Sequence, residues 1–225
     1  MGRLPKAWVQ MRYRLFCACG TLFPRNRHKL VKETHLARKT SAKKAVVAQP
    51  LLKLDIGCGK NKQAGFIGLD QYDIPGVDVV CDLRKKLPYD AGTVDEVHCS
   101  HFIEHLTATE RVKFMNELYR IMKVGAKATL IAPHWASNRA YGDMTHCWPP
   151  VSEMWFYYLS SKWREEQVPH TDKRWNKDGY DCDFECTWGY SLHPAIQSRN
   201  QEYQQHAIGF FKEAAQDIMA TLIKK

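Results

Sequence analysis

The sequence has 225 residues, of which 44% are hydrophobic and 12% aromatic, so the chain can bury one sizeable core and carry a short appendage. It contains no run of about 18 apolar residues, which excludes a typical membrane-spanning helix, and residues 1–6 lack the apolar character of a secretory signal. We therefore expect a cytoplasmic protein without a membrane partner, whose eight cysteines are reduced thiols used mainly for packing.

The net charge of +9 is concentrated at one end of the chain. Residues 1–48 contain twelve Lys or Arg residues and a single acid, Glu33, for a net charge of +11, whereas the other 177 residues carry a net charge of −2. Such a segment is typical of polyanion-binding arms, organelle-targeting leaders and solvated tails. We interpret residues 1–48 as a basic arm and linker that contacts nucleic acid, and residues 49–225 as the main domain.

The predicted elements of the main domain alternate between strands and helices. Short apolar segments predict strands over residues 51–56, 66–70, 77–83, 94–100 and 128–133. Between the last two, Thr107 to Glu110 has the pattern of a capping box, and apolar residues at helical spacing predict a helix that Gly125 ends. Beyond Pro150 the patterns predict a helix over 151–163, a strand over 183–192, a helix over 201–214 and a strand over 218–223. This order predicts an α/β fold with a doubly wound, mostly parallel seven-stranded sheet.

A glycine-rich turn, Gly57-Cys58-Gly59, closes the first predicted strand. Backbone amides in such a turn approach a polar ligand closely because no side chain intervenes. Asp55 at the entry to the turn would repel a pyrophosphate, and the three spaced glycines of the dinucleotide fingerprint are absent, so a cationic ligand is favoured. Asp70 and Asp82 close the next two predicted strands, where a carboxylate commonly accepts ribose hydroxyls.

These segments resemble the class I S-adenosylmethionine-dependent methyltransferases, of a small type found in bacteria and phages. The resemblance covers residues 51–133 and includes Leu54 to Gly59, Gly68 to Asp70, Cys81 to Leu83, Ser100 to Leu106 and Met122 to Ala126. It implies methyl transfer from S-adenosylmethionine, bound by Asp55, Gly57, Gly59, Asp70, Asp82, Leu83 and Ser100. In that reading the glycines cradle the methionine end, Asp55 orients its ammonium, Asp70 holds the ribose, and Asp82 with Leu83 contacts the adenine. Only ten residues separate Gly59 from Asp70, so the usual first helix is expected to be a loop.

The candidate catalytic residues follow the predicted strand ends. Methyl transfer is an in-line displacement from a sulfonium, so the protein aligns the reactants and removes a proton from a hydroxyl or amide acceptor. Histidine is the natural base at neutral pH. We select His101, Glu104, His105 and His146, with His134 as a further candidate. Packing is the simpler interpretation of each histidine alone, whereas the cluster favours chemistry.

A metal site is an alternative interpretation of the same cluster, because histidines and a carboxylate converging from two loops make good ligands. His101-x-x-Glu104-His105 is similar to the Glu-x-x-Glu-His arrangement of magnesium-dependent O-methyltransferases that act on quinone precursors and on the ends of small RNAs. His101 in place of the first glutamate would favour a softer ion. Many methyltransferases without a metal also carry Glu-His-Leu, so we predict S-adenosylmethionine as the only cofactor and no metal.

The acceptor is expected to be a small molecule or a nucleic acid. Aromatic residues follow the fifth strand, where this fold usually builds its acceptor lid, and they either stack on a planar acceptor or form the core of the lid. They are Trp135, Tyr141, Trp148, Trp155, Phe156, Tyr157 and Tyr158. The alternative to an enzyme is a nucleic-acid-binding protein that uses the basic arm and keeps a vestigial cofactor-binding fold.

Overall fold

Short apolar segments separated by polar turns pair into one sheet in the computed structural model, which describes residues 9–10 and 50–225. The strands are β1 (Val9–Gln10), β2 (Lys53–Ile56), β3 (Ile67–Asp70), β4 (Val79–Val80), β5 (Val94–Ser100), β6 (Met122–Pro133), β7 (Phe184–Leu192) and β8 (Ala215–Lys224). The helices are α1 (Ala108–Ile121), α2 (Arg139–Gly142), α3 (Glu153–Tyr157), α4 (Ser161–Gln167), α5 (Pro194–Gln197) and α6 (Gln201–Phe210). Short 3-10 helices cover Ile103–His105 and Pro169–Thr171. Within the described part of the chain, every helix is too short or too polar to cross a bilayer.

The strand order is β1-β7-β8-β6-β5-β2-β3-β4. Strands β2 to β6 pair in parallel, whereas β8 lies antiparallel to both β6 and β7. The predicted doubly wound, mostly parallel sheet of seven strands is therefore confirmed for β2 to β8. The chain builds outward from β2 to β4 and then returns to β5 on the other side of β2. Open α/β sheets bind their ligands at such a reversal, which here lies at the carboxyl ends of β2 and β5.

One segment of the predicted basic arm contributes to the sheet. Val9 and Gln10 form β1, which pairs antiparallel with Tyr190 and Gly189 at the edge of β7. The sheet therefore has an eighth strand that the sequence analysis does not predict. The rest of residues 1–48 lies outside the described residues, so the domain boundary near residue 49 and the nucleic-acid contact of the arm stay predictions.

The core follows the periodicity of the elements that surround it. Helix α1 packs Phe114, Met115, Leu118 and Ile121 against the sheet, and the inward-facing residues of β2, β5, β6 and β8 complete the cluster. Each such side chain contributes roughly 1.5–3 kcal/mol when fully buried. Thr107 begins α1 with a reciprocal capping box, since its side chain accepts from the amide of Glu110 and the Glu110 carboxylate accepts from the amide of Thr107. The six cysteines of the described residues are all free thiols, and Cys99 is buried as expected.

The predicted end of the helix after Thr107 is wrong. Helix α1 ends at Ile121 and not at Gly125, because β6 begins directly at Met122, which pairs with Val94. Gly125 has a φ of +79° and lies where the register of β5 and β6 shifts, so it forms an irregularity inside the strand. The start of β6 has apolar residues at helical spacing, so its sequence pattern also fits a helix. Only the pairing with β5 distinguishes the strand from a helix.

The predicted helix over 151–163 is two helices, α3 and α4. The chain breaks after Tyr157 because Ser160 caps α4 by accepting from the amide of Trp163, and the guanidinium of Arg164 donates to the carbonyl of Tyr158. Helix α6 likewise ends at Phe210, four residues before its predicted end, and β4 keeps only two of its seven predicted residues.

Candidate active site

The glycine turn after β2 is a tight loop without helix, as the short spacing to β3 predicts. The amides of Gly57 and Cys58 both donate to the carbonyl of Leu69, at 2.8 and 3.2 Å. Gly57 has a φ of +71°, and a Cβ atom there would lie 2.6 Å from the Cβ of Phe102. Only glycine fits, because a larger residue would have a strained backbone and would collide with Phe102 in the loop after β5.

The side chain of Asp55, on β2, holds the loop of the glycine turn in place. Its side chain is almost fully buried, with Oδ1 2.8 Å from Nδ1 of His98 and Oδ2 accepting from the amide of Gln63 at 2.6 Å. His98 reaches Asp55 because the two residues are register partners on β5 and β2. The sequence analysis selects Asp55 and misses His98 and Gln63. Each carboxylate oxygen keeps a second lone pair for a further donor.

Asp70, at the end of β3, faces the glycine turn. Its Oδ2 accepts from the amide of Gly59 at 2.9 Å and its Oδ1 from the amide of Tyr72 at 3.1 Å. Asp78, which the sequence analysis does not select, pairs with Lys62 and accepts from the amide of Gly68, and the Lys62 hydrogen bond lowers the pKa of Asp78. The loop between β2 and β3 is thus held by three carboxylates.

Asp82 and Leu83 follow β4. Arg84 donates to Asp82 from its backbone and from its guanidinium, and these bonds hold the pKa of Asp82 well below its usual range. Leu83 is buried in the core. Asp82 therefore carries a negative charge just after β4, while Leu83 packs in the core, and their contact with an adenine stays a prediction.

The four predicted catalytic side chains lie together beyond β5. His101 follows Ser100 with a φ of +55°, a left-handed conformation that is uncommon for a residue with a side chain. The turn places Nδ1 of His101 3.2 Å from Oε1 of Glu104. The rings of His105 and His146 make an edge contact with centroids 4.8 Å apart. The structure thus joins His105 and His146, which lie on two loops and are 41 positions apart in the sequence.

A buried arginine ties these two loops together. Arg111 of α1 donates to the carbonyls of Ile103 and Glu104 on one loop and of Cys147 and Pro149 on the other. The amide of Cys147 also donates to the carbonyl of Glu104 at 2.7 Å. Arg111 is a positioning residue that sequence reasoning misses, because its position on a helix face gives no sign of carbonyl partners.

His134, the further candidate base, lies in a different environment. Its ring is fully buried, its Nε2 is 2.9 Å from Oε1 of Glu153, and its Nδ1 accepts from the amide of Ala136. Tyr190 donates to the same oxygen of Glu153. Burial alone would raise the pKa of Glu153, but the bonds from His134 and Tyr190 outweigh it and lower the pKa to about 2. Both ring nitrogens of His134 are occupied, so this histidine packs the base of the site.

The aromatic residues after β6 divide into two groups. Those of α3 and its end pack among themselves and against Trp163, Tyr180 and Trp188, and they form the core of the segment between β6 and β7: Trp155, Phe156, Tyr157 and Tyr158. The others, Trp135, Tyr141 and Trp148, are exposed. The first group packs as a small core, and stacking on an acceptor stays a prediction for the three exposed rings.

Two cavities lie near the cluster. One of about 440 Å³ is lined by Trp135, Tyr141, Phe210 and Phe211, with Lys212 at its edge. It adjoins the histidines, because Tyr141 follows Ala140, whose carbonyl is 3.3 Å from Nδ1 of His146. The other, of about 530 Å³, lies between the start of α1 and the aromatic segment and is lined by residues that include Arg111, Trp155, Tyr158 and Tyr180.

The chain is similar to known proteins in one domain and in its fold. Residues 67–130 match a protein family described as a methyltransferase domain. Comparison of the sequence with curated proteins finds no match. Among solved structures, a SAM-dependent methyltransferase from Archaeoglobus fulgidus is similar with a TM-score of 0.54 and 18% identity, covering 77% of this chain and 86% of that chain.

Two further similar structures have lower scores. Phosphoethanolamine N-methyltransferase 2 from Haemonchus contortus, in complex with S-adenosyl-L-methionine, has a TM-score of 0.42 and 14% identity, covering 78% of this chain and 49% of that chain. Geranyl diphosphate C-methyltransferase from Streptomyces coelicolor A3(2) has a TM-score of 0.42 and 16% identity, covering 79% of this chain and 72% of that chain.

The family match and the fold comparison cover different parts of the chain. The matched residues run from β3 into β6 and include Asp70 and the first three residues of the histidine cluster, but not β2 or the glycine turn. The similarity to the Archaeoglobus structure shows the class I methyltransferase fold. Residues 67–130 therefore match a methyltransferase domain, within a chain that has the fold of S-adenosylmethionine-dependent methyltransferases.

Proposed function

We propose that the protein transfers a methyl group from S-adenosylmethionine to a small-molecule or nucleic-acid acceptor by in-line displacement. One observation carries the proposal. The glycine turn with Asp70 and the cluster of His101, Glu104, His105 and His146 occupy the same edge of the sheet, on neighbouring strands at the point where the winding reverses. A cofactor held at β2 and β3 would present its methyl group toward the loop that follows β5.

The cofactor side of the proposal uses the carboxylates and the glycine turn. The free lone pairs of Asp70 accept the ribose hydroxyls, while Gly57 and Gly59 let the backbone approach the methionine end. Asp55 orients the ammonium, both directly and by holding the loop through Gln63. Asp82 and Leu83 contact the adenine, and Ser100 closes the site at the end of β5.

The acceptor side uses the cluster beyond β5. His101, Glu104, His105 and His146 position the acceptor and take its proton as the methyl group moves. The exposed rings of Trp135 and Tyr141 wall the neighbouring cavity and favour an acceptor with a planar group. The Glu104-His105-Leu106 segment, which suggests a small bacterial or phage type of methyltransferase, is part of this proposal.

A methylation assay with labelled S-adenosylmethionine tests the proposal. Purified protein is incubated with cell extract, and the label is then separated into nucleic acid, protein and small molecules. We expect label in the small-molecule or nucleic-acid fraction together with release of S-adenosylhomocysteine. Cofactor that binds without any turnover in every fraction would support the alternative, a nucleic-acid-binding protein with a vestigial cofactor site.

Variants of the cluster separate chemistry from cofactor binding. His105→Ala and His146→Ala are expected to keep the affinity for S-adenosylmethionine and to lose turnover, by roughly 10²-fold or more if they act as acid or base. His170→Ala is a matched control, because His170 is exposed and outside the cluster. Equal turnover in all three variants would assign the histidines a packing role.

A further inference from the structure

We propose that Glu104, His105 and His146 form a binding site for one divalent first-row transition-metal ion. The three side chains can each offer one ligand atom, and these atoms lie within 4.8 Å of one another. They come from two loops that Arg111 and the bond from Cys147 to Glu104 hold together. The three ligand atoms therefore lie close enough for small side-chain rotations to bring them onto one ion, and their two loops are tied together.

The Glu104 carboxylate is the observation that points to a ligand. Its side chain is only 5% exposed, and neither oxygen has a hydrogen-bond partner among the described residues. Nδ1 of His101 is 3.2 Å from Oε1 without hydrogen-bond geometry. A buried carboxylate with unsatisfied oxygens is costly, and a cation in the adjoining space removes that cost.

Hydrogen bonds at Nδ1 of both histidines leave Nε2 of each ring as the nitrogen that can bind a metal. Nε2 of His146 also lies 3.9 Å from Oδ2 of Asp143. Thr145 donates its hydroxyl proton to Oδ1 of Asp143 at 2.7 Å, so the contact of 2.9 Å between Oγ1 of Thr145 and His105 requires Nδ1 of His105 to donate. In the same way, Nδ1 of His146 donates to the carbonyl of Ala140, which can only accept. In both neutral rings the lone pair is then on Nε2.

This arrangement matches the outer shell of known metal sites, in which the second ring nitrogen of a ligand histidine donates to a carbonyl or to a group backed by a carboxylate. The Asp143–Thr145–His105 chain is such a support, and it fixes the ring orientation as well as the protonated nitrogen. Two imidazoles and one carboxylate favour zinc, iron, cobalt or manganese over magnesium, and three protein ligands leave open positions. Under the proposed function, an ion there would bind an acceptor oxygen and make its proton easier to remove.

Binding of Co²⁺ to the full-length protein tests the site without any measurement of activity. The protein is treated with a chelator, dialysed and titrated with Co²⁺, and the ligand-field absorption in the visible range is recorded. We expect one bound equivalent, displaced by Zn²⁺, with the absorption of nitrogen and oxygen ligands. His146→Ala and Glu104→Gln should each lower the affinity by at least about tenfold, whereas His170→Ala should leave it unchanged.

The melting temperature of Glu104→Gln gives a second readout. The substitution removes a buried unsatisfied charge, so the chelator-treated variant should melt at or above the melting temperature of the chelator-treated wild type. Added Zn²⁺ should raise the melting temperature of the wild type and leave that of the variant unchanged. If Glu104→Gln does not fold, His146→Ala alone decides the result.

Three outcomes would overturn the proposal. They are Co²⁺ binding that survives in both variants, thiolate charge-transfer bands that place the ion on cysteines such as Cys17 and Cys19, and no stoichiometric binding at all. If no stoichiometric binding is found, His101 would be the group that neutralises Glu104. A failure of the metal site can be told apart from a failure of the proposed function, because binding of S-adenosylmethionine is tested separately with Asp70→Ala.

Discussion

Asp70 at the end of β3 and Glu104 in the 3-10 helix after β5 are both buried carboxylates, yet their surroundings favour different roles. Asp70 has a backbone amide on each oxygen, which stabilises its charge while lone pairs remain for a ligand. Glu104 has no hydrogen bond on either oxygen. A neutral, hydroxyl-rich ligand suits the first group and a cation suits the second. The distinction depends on the groups around each carboxylate, which a residue's type alone does not specify.

Cofactor affinity is predicted to depend on Asp70. Charge-assisted hydrogen bonds to the ribose hydroxyls are worth about 1.5–3 kcal/mol each, so Asp70→Ala should weaken binding of S-adenosylmethionine by at least tenfold. Isothermal titration calorimetry measures the change. Asp90→Ala is the control, because Asp90 is exposed and precedes β5 at the opposite edge of the sheet. Equal affinity in the wild type and Asp70→Ala would show that the cofactor lies elsewhere.

The buried group of His134, Glu153 and Tyr190 predicts a pH dependence of stability. The pKa of Glu153 is lowered from 4.5 to about 2 in the folded protein, so its stabilising contribution is present above pH 4.5 and is lost as the pH falls toward 2. We expect Glu153→Gln to cost on the order of 1–2 kcal/mol at pH 6 and progressively less below pH 4.5.

Urea unfolding at a series of pH values measures this difference. Glu202→Gln is a suitable control, because Glu202 is exposed in the first turn of α6. A cost of Glu153→Gln that stays constant between pH 6 and pH 3 would mean that the hydrogen bonds to His134 and Tyr190 do not favour the charged form.

At the scale of single elements, α1 has the most local determinants and the site depends on it. Its first turn follows directly after the 3-10 helix of Glu104 and His105, and its Arg111 binds the carbonyls of both loops of the cluster. The start of the helix is specified by Thr107 and Glu110. The capping box therefore fixes where the loop of Glu104 and His105 ends and where the helix that carries Arg111 begins.

Removal of this cap is predicted to destabilise the fold. Thr107→Ala loses the bond to the amide of Glu110 and should cost about 1 kcal/mol in the free energy of unfolding. Thr109→Ala, an exposed position inside the same helix, should cost nothing or slightly stabilise the protein, since alanine has the higher helix propensity. Denaturant unfolding of the two variants compares them directly. Equal stabilities would mean that packing of α1 alone sets its start.

The segment between β6 and β7 is stabilised by a different kind of contact. Arg164 and Asp172 form a buried ion pair at 2.9 Å, and Arg164 also donates to the carbonyls of Tyr158 and Cys182. Asp172 accepts from the backbone and side chain of Arg174 as well. All the polar groups at this point are thus paired, which lets the aromatic residues of α3 form a small core of their own.

At the scale of the whole molecule, charge is separated along the chain. Residues 1–48 carry +11 and the remainder −2, so any electrostatic attraction to phosphates is expected from the arm. Val9 and Gln10 show that a part of this segment also pairs with the sheet, through two residues at the edge of β7. The loss of so short an edge strand removes no residue of the candidate site.

A chain of residues 49–225 is therefore predicted to fold and to bind S-adenosylmethionine. The full-length protein should bind single- or double-stranded nucleic acid at low salt, with an affinity that falls steeply as salt is added, because counterions are released for each phosphate neutralised. The shortened chain should not. Fluorescence anisotropy with a labelled oligonucleotide at several salt concentrations compares the two.

Two results would contradict the role of the arm. Equal nucleic-acid affinity in both chains would place the binding surface on residues 49–225. No affinity in either would direct the arm to targeting or to a protein partner, and it would favour a small-molecule acceptor.

The sequence by itself determined the elements whose signals are local. The strands β2, β3, β5, β7 and β8, the cap of α1 and the loop in place of a first helix follow from burial periodicity, capping chemistry and the spacing of Gly57, Gly59 and Asp70. Such signals act within a few residues, and so they are present in the sequence before any tertiary contact forms. The class I resemblance extends them to a cofactor site, because parallel strands bring their carboxyl ends to one edge.

Only the tertiary structure decided which polar groups meet. His105 and Thr145 are 40 residues apart and Arg111 and Cys147 are 36 apart, so no local pattern shows that their loops join. The same holds for the unsatisfied carboxylate of Glu104, the occupied ring of His134 and the pairing of β1 with β7. Satisfaction of a buried polar group depends on every neighbour that folding brings to it, and that set is fixed by packing and not by sequence spacing.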